Sequence, residues 1–360
     1  MQPVSDPPPA SAARSRGGSF LLVACQPGAE EELGRRQRER QPDWARAAWR
    51  RGLVTFRLPE GMVPADDFFP DLVFARAVAR SLGQVRGQST PELVAAAVAL
   101  GGAGSWDNVH VWTRDPRTEV DLPAIRAALL SACGLPAGTP APAAAGNVVL
   151  DCAVDAVDRW WVGRHRASSP PSRWPGGLYP APLPATKVSR AWLKLDEAIA
   201  TFAIPFTPGE RACELGAAPG GSCQRLLEAG LHVVGIDPAL VDERVVAHPH
   251  FTHWQKRSRD VKLREFRGFD WIVSDMNIDP VSTLEALGRV VTAPGVRPRG
   301  IVATLKLPAW SRAEALPAWL AAFRGWGFAP QVRQLSTGGR EVCVVALHNR
   351  GAGRRPGAAR

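Results

Sequence analysis

The sequence predicts an α/β protein whose C-terminal half is a mostly parallel sheet covered by helices on both faces, preceded by smaller α+β units. Two observations carry this prediction. From residue 190 onward, apolar strands alternate with helical segments, the pattern of a parallel sheet with crossover helices. Within that half, Arg211–Ala229 runs from a buried strand through a glycine-rich turn into a helix. Such a turn brings backbone N–H groups close to a ligand.

The N-terminal half predicts two small units. Residues 1–18 are rich in Pro, Ser, Ala and Arg and are expected to be disordered. A β-α-β-α order then suggests a ferredoxin-like unit, with elements predicted at Ser19–Cys25, Pro27–Arg40, Leu53–Phe56 and Phe68–Arg80. A second α/β unit follows, with elements predicted at Pro91–Leu100, Asn108–Thr113, Leu122–Cys133, Val148–Val154 and Trp160–Gly163. The second unit shows no acid–base cluster in its sequence, so we expect it to bind rather than to catalyse.

A segment rich in Pro, Gly, Ser and Arg, residues 164–188, is predicted to link the halves. It carries the only tyrosine, Tyr179. Its mixture of Arg, Trp and Tyr suits stacking on unpaired bases, and it suits a plain Pro-rich linker equally well.

The predicted C-terminal unit spans residues 189–350, followed by a basic tail at 351–360. Its predicted strands are Arg211–Leu215, His232–Ile236, Trp271–Ser274, Ile301–Leu305 and Val342–Leu347, and its helices include Arg190–Phe202 and Ala313–Trp326. The last strand follows Gln331–Leu335 across the turn Thr337–Arg340, which predicts an antiparallel pair at the end of the sheet.

The glycine turn Gly216–Gly221 excludes two common nucleotide sites. Ala218 stands where a dinucleotide fingerprint needs glycine, and no Gly-Lys-Ser/Thr follows for a phosphate loop. The next strand ends in Asp237, where a carboxylate can accept both hydroxyls of a ribose. Turn and acid together fit S-adenosyl-L-methionine, which has a ribose but no phosphate. We expect Ser222 to be the N-cap of the following helix. The alternative is a tight turn without a ligand.

Composition narrows the partners and the compartment. The 360 residues carry a formal charge of +10, which favours nucleic acid, although an arginine-rich genome would give the same excess. The six cysteines form no C-x-x-C pair, so neither a zinc site nor a disulfide framework is predicted. The apolar run ending at Cys25 is too short for a signal peptide, and no stretch reaches the length of a membrane span. We therefore expect a cytoplasmic protein.

Lysine usage points to a catalytic site. Of the 44 basic residues, only Lys187, Lys194, Lys256, Lys262 and Lys306 are lysines. Lysine differs from arginine in having an amine that can lose its proton. Lys306 follows the strand Ile301–Leu305 at the sheet edge where ligands bind in open α/β folds. Asp275 ends another strand at that edge, and Glu341 begins the last strand. Each of these residues alone also fits a solvated or capping role.

The motifs SRAWLKLDE, ELGAAPGG, SDM, TLKLP and REV occur in the order found in FtsJ-like ribose 2'-O-methyltransferases. The chain resembles that family. The family's Lys-Asp-Lys-Glu tetrad falls on Lys194, Asp275, Lys306 and Glu341. Upstream, LLVACQPGAEEEL and FPDLVFARA extend the resemblance, patchily, to the branch that methylates a cytidine of 23S ribosomal RNA.

The resemblance implies a Rossmann-like S-adenosylmethionine-dependent methyltransferase domain preceded by a ferredoxin-like, THUMP-type RNA-binding region. It implies Lys306 as general base, with a pKa brought toward neutrality by Lys194, while Asp275 and Glu341 hold the two ammonium groups. The cofactor would lie against Ser189, Gly216, Ala218, Pro219, Gly220, Gly221, Asp237 and Asp275. The expected partner is RNA, 23S ribosomal RNA or a ribosomal precursor, and neither a metal nor a membrane is expected. The family usually has an acid near the adenine, but Arg257 stands there, with Asp260 as a shifted substitute.

The sequence bears on five rival functions. A base-amine methyltransferase would need a D/N-P-P-Y/F motif after Asp275, where SDMNID stands, and a carbon-5 cytosine methyltransferase would need a cysteine there. A nicotinamide oxidoreductase is disfavoured by Ala218. Methylation of another RNA, such as a tRNA, and an inactive RNA-binding module remain.

Overall fold

The computed structural model describes residues 18–102 and 106–348. The predicted tails, residues 1–18 and 351–360, lie outside this range except for Gly18. The helices are α1 (Glu30–Arg40), α2 (Thr90–Gly101), α3 (Leu122–Ala132), α4 (Arg190–Phe202), α5 (Gly221–Glu228), α6 (Glu243–Val246), α7 (Pro280–Val291) and α8 (Leu316–Gly325). Short 3₁₀ helices lie at Pro171–Arg173, Pro175–Gly177, Ser258–Asp260, Leu263–Phe266 and Trp310–Ala315.

The N-terminal half is built on one seven-stranded sheet. Its strands are β1 (Phe20–Ala24), β2 (Ala45–Arg50), β3 (Leu53–Arg57), β4 (Ala77–Arg86), β5 (Asn108–Thr113), β6 (Val148–Ala156) and β7 (Arg159–Arg166), in the order β2-β3-β1-β4-β7-β6-β5. Only the β5–β6 pair is parallel. The two units that the sequence predicted separately therefore share a single sheet, joined where β4 pairs with both β1 and β7.

The helix predicted over Phe68–Arg80 is wrong. Residues 68–76 form neither a helix nor a strand, and β4 begins at Ala77. The apolar residues Leu72, Phe74 and Ala75 are buried, as the helical spacing suggested, but they fill the core as an irregular segment. Pro70 restricts the backbone before it and disfavours a helix there. Strands β2 and β4 were also missed. Strand β2 consists mostly of Arg and Ala and has no β-branched residue, and the first residues of β4 were assigned to the predicted helix.

The C-terminal half is a second seven-stranded sheet. Its strands are β8 (Arg211–Leu215), β9 (His232–Ile236), β10 (Phe251–Trp254), β11 (Trp271–Ser274), β12 (Gly300–Lys306), β13 (Phe328–Arg333) and β14 (Glu341–His348), in the order β10-β9-β8-β11-β12-β14-β13. The five strands from β10 to β12 are parallel, and β14 is antiparallel to both β12 and β13. This confirms the predicted sheet and its antiparallel end. The strand order reverses between β8 and β11, and open α/β sheets bind ligands at such a switch point.

One apolar core connects the two halves. Leu21, Val23 and Phe56 of the first sheet belong to the same buried cluster as Ile301 and Val344 of the second. Because burial of apolar surface is the main force in folding, the halves stabilise each other. Among the described residues, no helix is both long and apolar enough to cross a membrane.

The predicted linker is packed rather than free. Strand β7 extends to Arg166, so its first residues belong to the sheet. Trp174 is buried and meets Tyr179 edge-on, with 5.0 Å between ring centroids. The Tyr179 hydroxyl donates a hydrogen bond to Asp196 Oδ2 at 2.6 Å. Both aromatic side chains are thus engaged by the protein, which favours the structural interpretation of this segment over base stacking.

The segment after β7 also covers a buried polar group that the sequence analysis did not find. His110 on β5, Asp151 on β6 and His165 on β7 place their polar atoms within 4.8 Å of one another. His165 contacts Asp151 through Nδ1 and the carbonyl oxygen of Ser172 through Nε2, the latter at 2.7 Å. Burial alone would lower the pKa of His165, but the Asp151 carboxylate outweighs burial and raises it. The resulting imidazolium fastens Ser172 to the sheet.

The burial of His110 should make the free energy of unfolding sensitive to acid. Burial lowers the pKa of His110 to about 3, whereas an unfolded histidine titrates near pH ~6.5. Below that pH the unfolded state binds a proton that folded His110 rejects, so the free energy of unfolding falls as pH falls, by up to about 1.4 kcal/mol per pH unit. His165, whose pKa is raised, has the opposite effect only near pH ~6.5, because at lower pH it is protonated in both states.

We expect His110→Leu to flatten the dependence of unfolding free energy on pH between about pH 6.5 and 5. Urea unfolding at several pH values measures this dependence. His250→Leu, which removes an exposed histidine, is the control and should keep the wild-type slope. An unchanged slope in His110→Leu would show that His110 is not the group responsible.

Candidate active site

The glycine turn after β8 has a backbone that requires glycine at its first position. Gly216 has φ +82°, and a Cβ there would lie 2.6 Å from Met276 Cγ. The backbone therefore passes directly beside the residue that follows Asp275. Two N–H groups of the turn, those of Gly216 and Ala217, bond the carbonyl of Ile236 on β9 at 3.0 and 3.3 Å. The turn is thus fixed between β9 and the end of β11.

The second half of the turn begins α5. Gly220, with φ +116°, is the N-cap, and Gly221 is already helical. The prediction of Ser222 as N-cap is wrong, because the positive φ of Gly220 reverses the chain two residues earlier; Ser222 is buried inside the helix. A Cβ on Gly221 would collide with Ser189 Oγ and lie 2.9 Å from the Trp192 backbone nitrogen. Gly221 thus lets α5 meet the start of α4.

Asp237 lies at the end of β9 and supports the turn from the side. Its Oδ2 accepts a hydrogen bond from the Ala218 N–H at 3.2 Å, and its Oδ1 accepts one from the Ala239 N–H at 2.8 Å. Because a carboxylate offers about four acceptor positions, two further donors, such as the two hydroxyls of a ribose, can still be accommodated.

A cleft of about 720 Å³ opens beside the turn. Its volume is in the range typical of small-molecule sites. Of the residues predicted to hold a cofactor, Gly216, Ala218, Asp237 and Asp275 line this cleft. Ser189, Pro219, Gly220 and Gly221 are not among the lining residues; Ser189 is the N-cap of α4, accepting from the Ala191 N–H at 3.4 Å.

The far wall of the cleft was not predicted. It consists of Met276, Asn277 and Ile278 after β11, and of Ser282, Glu285, Ala286 and Arg289 on α7. The spacing of the four α7 residues places them on one helix face, which was the available signal. Arg257 also lines the cleft, whereas Asp260 lines a separate pocket with Trp254 and Lys256. Asp260 therefore does not line the cleft in this structure.

Beneath the turn lies another group that the sequence analysis missed. Glu214 on β8 is 2% exposed and accepts a hydrogen bond from the Cys223 thiol at 2.8 Å. Burial raises the pKa of Glu214 to about 8. This carboxyl group is therefore protonated at neutral pH and adds no charge under the turn.

The four predicted tetrad side chains meet at the carboxyl edge of the second sheet. Lys306 Nζ donates to Asp275 Oδ1 at 2.9 Å and to Glu341 Oε2 at 2.6 Å. Lys194 Nζ contacts Asp275 Oδ2 and lies 3.4 Å from Glu341 Oε1. Each carboxylate thus bridges both lysines, using one oxygen for each. The side chains are 12–18% exposed, so solvent screens these charges only partly.

The pKa of Lys306 differs from the sequence expectation. Burial lowers the pKa of Lys306, but the charges of Asp275 and Glu341 together outweigh burial and raise it above the ordinary lysine value. The expectation that Lys194 brings this pKa toward neutrality is wrong for the structure described here, because two carboxylates stand between the two ammonium groups. Lys306 is an ion-paired ammonium at neutral pH.

Residues 187–310 match the family model described as FtsJ-like methyltransferase. The match begins just before α4 and includes the glycine turn, Asp237, Asp275, Lys194 and Lys306. This stretch is an FtsJ-like methyltransferase domain. The predicted family resemblance, the Rossmann-like fold and the S-adenosylmethionine-dependent methyltransferase activity are thereby confirmed.

Curated relatives extend the similarity beyond the FtsJ-like domain. The chain is 29% identical over 329 residues to a ribosomal RNA large subunit methyltransferase M (RlmM) of Halorhodospira halophila, covering 84% of this chain and 88% of the relative. A protein of the same name from Xanthomonas axonopodis pv. citri is 27% identical, covering 92% of this chain and 100% of the relative. A third, from Laribacter hongkongensis, is 32% identical over 51% of this chain and 54% of its own length.

Proposed function

We propose that the chain transfers a methyl group from S-adenosyl-L-methionine to the ribose 2'-hydroxyl of a cytidine in the 23S RNA of the large ribosomal subunit. The observation that carries the proposal is the tetrad, two lysines bridged by two carboxylates, beside a cleft that Asp275 also lines. The curated relatives, which carry the name ribosomal RNA large subunit methyltransferase M, support the choice of RNA.

The cleft fits the cofactor in three respects. A Cβ at Gly216 would meet Met276, so the backbone can face a ligand where a side chain would not fit. Asp237 has acceptor capacity left for a ribose, whereas Arg257, which stands where the family has an acid near the adenine, departs from the family pattern. Glu285 and Asp275 offer carboxylates, the groups that bind an ammonium such as that of the methionine portion. The wall of the cleft would be supported from behind by Ser189, Pro219, Gly220 and Gly221.

The bound cofactor supplies a methyl group activated by an adjacent sulfonium. The chain must then position the ribose hydroxyl in line with that methyl group and remove its proton. Lys306 Nζ is the group for proton removal once it has lost its own proton, because only its free amine can accept one. It is placed beside the cleft by its contact with Asp275, which lines the cleft. Asp275 and Glu341 fix its position, and Lys194 adds positive charge where the hydroxyl oxygen becomes negative.

We propose that the N-terminal half, residues 19–163, is a THUMP-type RNA-binding region, joined through residues 164–188 to the methyltransferase domain at 189–350. Support comes from the length over which the RNA large subunit methyltransferases match, which extends upstream of the FtsJ-like stretch. The net charge of +10 belongs to the chain as a whole. Electrostatic attraction to phosphates would give such binding its affinity and its dependence on salt. We place the enzyme in the cytoplasm, where its RNA would be found.

The direct test is transfer of a tritiated methyl group from the cofactor to 23S RNA or to a ribosomal precursor, followed by mapping of 2'-O-methyl positions. We expect label at one cytidine ribose of the large subunit RNA. Label on a tRNA or on a base would redirect the proposal to another acceptor. Cofactor binding without any transfer would favour an inactive RNA-binding module instead.

Asp237→Asn should weaken cofactor binding about 10- to 100-fold, because the amide would present donors to the ribose hydroxyls and unpair polar groups in the cleft, a loss of about 1–3 kcal/mol. Isothermal titration with S-adenosylmethionine measures it. Asp242→Asn is the matched control. Asp242 also accepts a hydrogen bond from nearby backbone, but it is the N-cap of α6 and lies outside the cleft. This variant should bind S-adenosylmethionine with wild-type affinity. Wild-type affinity in Asp237→Asn would remove this residue from the cofactor site.

A further inference from the structure

The segment between β13 and β14, residues 334–340, leads directly into the tetrad and is called the tetrad loop below. Glu341 is the first residue of β14 and pairs with Lys306 across the sheet. At the same point the Leu307 N–H donates to the carbonyl of Arg340 at 2.7 Å. The conformation of the tetrad loop therefore determines where the Glu341 carboxylate lies relative to Lys306.

Gln26 binds the tetrad loop from the other half of the protein. It follows β1, and its Nε2 lies within hydrogen-bonding distance of three loop carbonyls: Leu335 at 3.1 Å, Ser336 at 3.3 Å and Gly338 at 2.8 Å. An amide nitrogen has only two N–H bonds, so the loop curls around a single donor group.

Gly338 connects this contact to the tetrad. A Cβ on Gly338 would lie 2.9 Å from Glu341 Oε1, so the backbone that Gln26 holds is packed against the catalytic carboxylate. The same Oε1 faces Lys194 Nζ. A displacement of Gly338 would thus change the position of an oxygen that pairs with a lysine of the tetrad.

The methyltransferase half holds the tetrad loop from the opposite side. Glu197 on α4 is 3% exposed and accepts from the Ser336 N–H at 2.7 Å and the Thr337 N–H at 2.8 Å. Lys194 lies one helical turn earlier on the same helix. The backbone of the N-terminal half adds a further bond, from the Gln334 N–H to the Val73 carbonyl at 2.9 Å. The loop is therefore clamped between the two halves.

We propose that Gln26 is a positioning residue for the methyl transfer, and that through it the N-terminal half completes the active site in addition to binding RNA. The role runs from the Gln26 amide through the Gly338 backbone to the Glu341 carboxylate. It rests on the proposed function, since it assumes that the tetrad performs the reaction.

Gln26→Leu keeps the side-chain size and removes the donor. We expect turnover to fall about 10- to 100-fold, the scale of an error of about 1 Å in the placement of a catalytic group. The affinity for S-adenosylmethionine and the KM for RNA should change less than about twofold, because the tetrad loop does not line the cofactor cleft. The turnover of Gln26→Asn, which keeps an amide on a shorter side chain, should lie between those of the wild type and Gln26→Leu.

Gln37→Leu is the matched control. Gln37 is 1% exposed and its Nε2 donates to the carbonyls of Gln41 and Trp44 at 2.6 and 3.0 Å, all within the N-terminal half. Its loss should lower the thermal stability of the protein while leaving the turnover of the folded protein at the wild-type level. A general structural effect of losing an amide donor would act in both variants alike.

A second readout does not depend on activity. The chain has only five lysines, so carbon-13 labelling of lysine gives five ammonium-linked signals to follow by NMR. In Gln26→Leu we expect the Lys194 and Lys306 signals to shift, because both ammonium groups contact Glu341. The titration of Lys306 should move to lower pH, because a displaced Glu341 stabilises its ammonium form less. The Lys256 and Lys262 signals should stay unchanged, as should all five in Gln37→Leu.

The two readouts separate failure of this inference from failure of the proposed function. Unchanged turnover and unchanged Lys194 and Lys306 signals in Gln26→Leu would overturn the positioning role, and so would an activity loss without any lysine shift. A wild-type protein that transfers no methyl group to RNA would remove the proposed function. The lysine signals of Gln26→Leu would then decide whether Gln26 controls the geometry of the tetrad.

Discussion

Lys306→Arg should reduce turnover at least about 100-fold at neutral pH, while leaving the fold and the affinity for S-adenosylmethionine close to wild type. Arginine keeps the positive charge that pairs with Asp275 and Glu341, but guanidinium does not lose a proton at accessible pH. The loss expected for removing a general base is about 10²- to 10⁴-fold. Single-turnover transfer of a tritiated methyl group to RNA measures the chemical step directly.

Lys262→Arg is the control for this substitution, since Lys262 is exposed and remote from the tetrad; it should react at the wild-type rate. Near-normal transfer by Lys306→Arg would show that Lys306 does not abstract the proton. The tetrad would then act as a clamp that positions a hydroxyl losing its proton to water. Lys194→Arg should lose less activity than Lys306→Arg, because a fixed positive charge serves part of the role assigned to Lys194.

The pH profile of the wild-type enzyme tests the protonation state of Lys306. Its two carboxylate partners raise the pKa of Lys306, so the free base is scarce at neutral pH. Turnover should therefore rise about tenfold per pH unit between pH ~7 and ~9 without reaching a plateau. A plateau near neutral pH would show that the assembled complex lowers this pKa, as the sequence analysis expected.

The tetrad could be predicted from the sequence because the strands that position it are visible as local apolar patterns. Asp275 and Lys306 follow buried strands, and the carboxyl ends of parallel strands meet at one edge of the sheet. The roles of these residues remain predictions. The protonation of Lys306 could not be inferred in the same way, because it depends on which oxygen faces which ammonium over distances of 2.6 to 2.9 Å. Such distances depend on tertiary packing.

The failures in the N-terminal half have a different cause. The segment from Phe68 to Arg76 has helical apolar spacing, yet its side chains are used where the two halves share a core, and long-range packing overrides local preference. The single sheet was missed for the same reason, since β4 is recognisable only once β1 and β7 are in place on either side of it. Similarly, His110, Asp151 and His165 are far apart in the sequence and meet only through the pairing of three strands.

Gly216→Ala should weaken S-adenosylmethionine binding at least about 10-fold and lower the stability of the protein. Two costs act together. An alanine at φ +82° carries the strain of a left-handed backbone, about 1–2 kcal/mol. Its Cβ would also lie 2.6 Å from Met276 Cγ, and Met276 lines the cleft, so relief of the clash must move the cleft wall. Overpacking of this kind costs about 1–3 kcal/mol.

Gly209→Ala separates these two costs. Gly209 has φ +88°, nearly the same backbone conformation, but a Cβ there meets no atom within 4 Å. This variant should lose stability through backbone strain alone. Its affinity for S-adenosylmethionine, measured by calorimetry, should equal that of the wild type. The additional destabilisation and the weakened binding in Gly216→Ala then measure the contact with Met276. If Gly216→Ala were to bind the cofactor as tightly as Gly209→Ala, the close approach of the Gly216 backbone to the cleft would have no part in cofactor binding, and Asp237 with the α7 wall would have to account for the affinity.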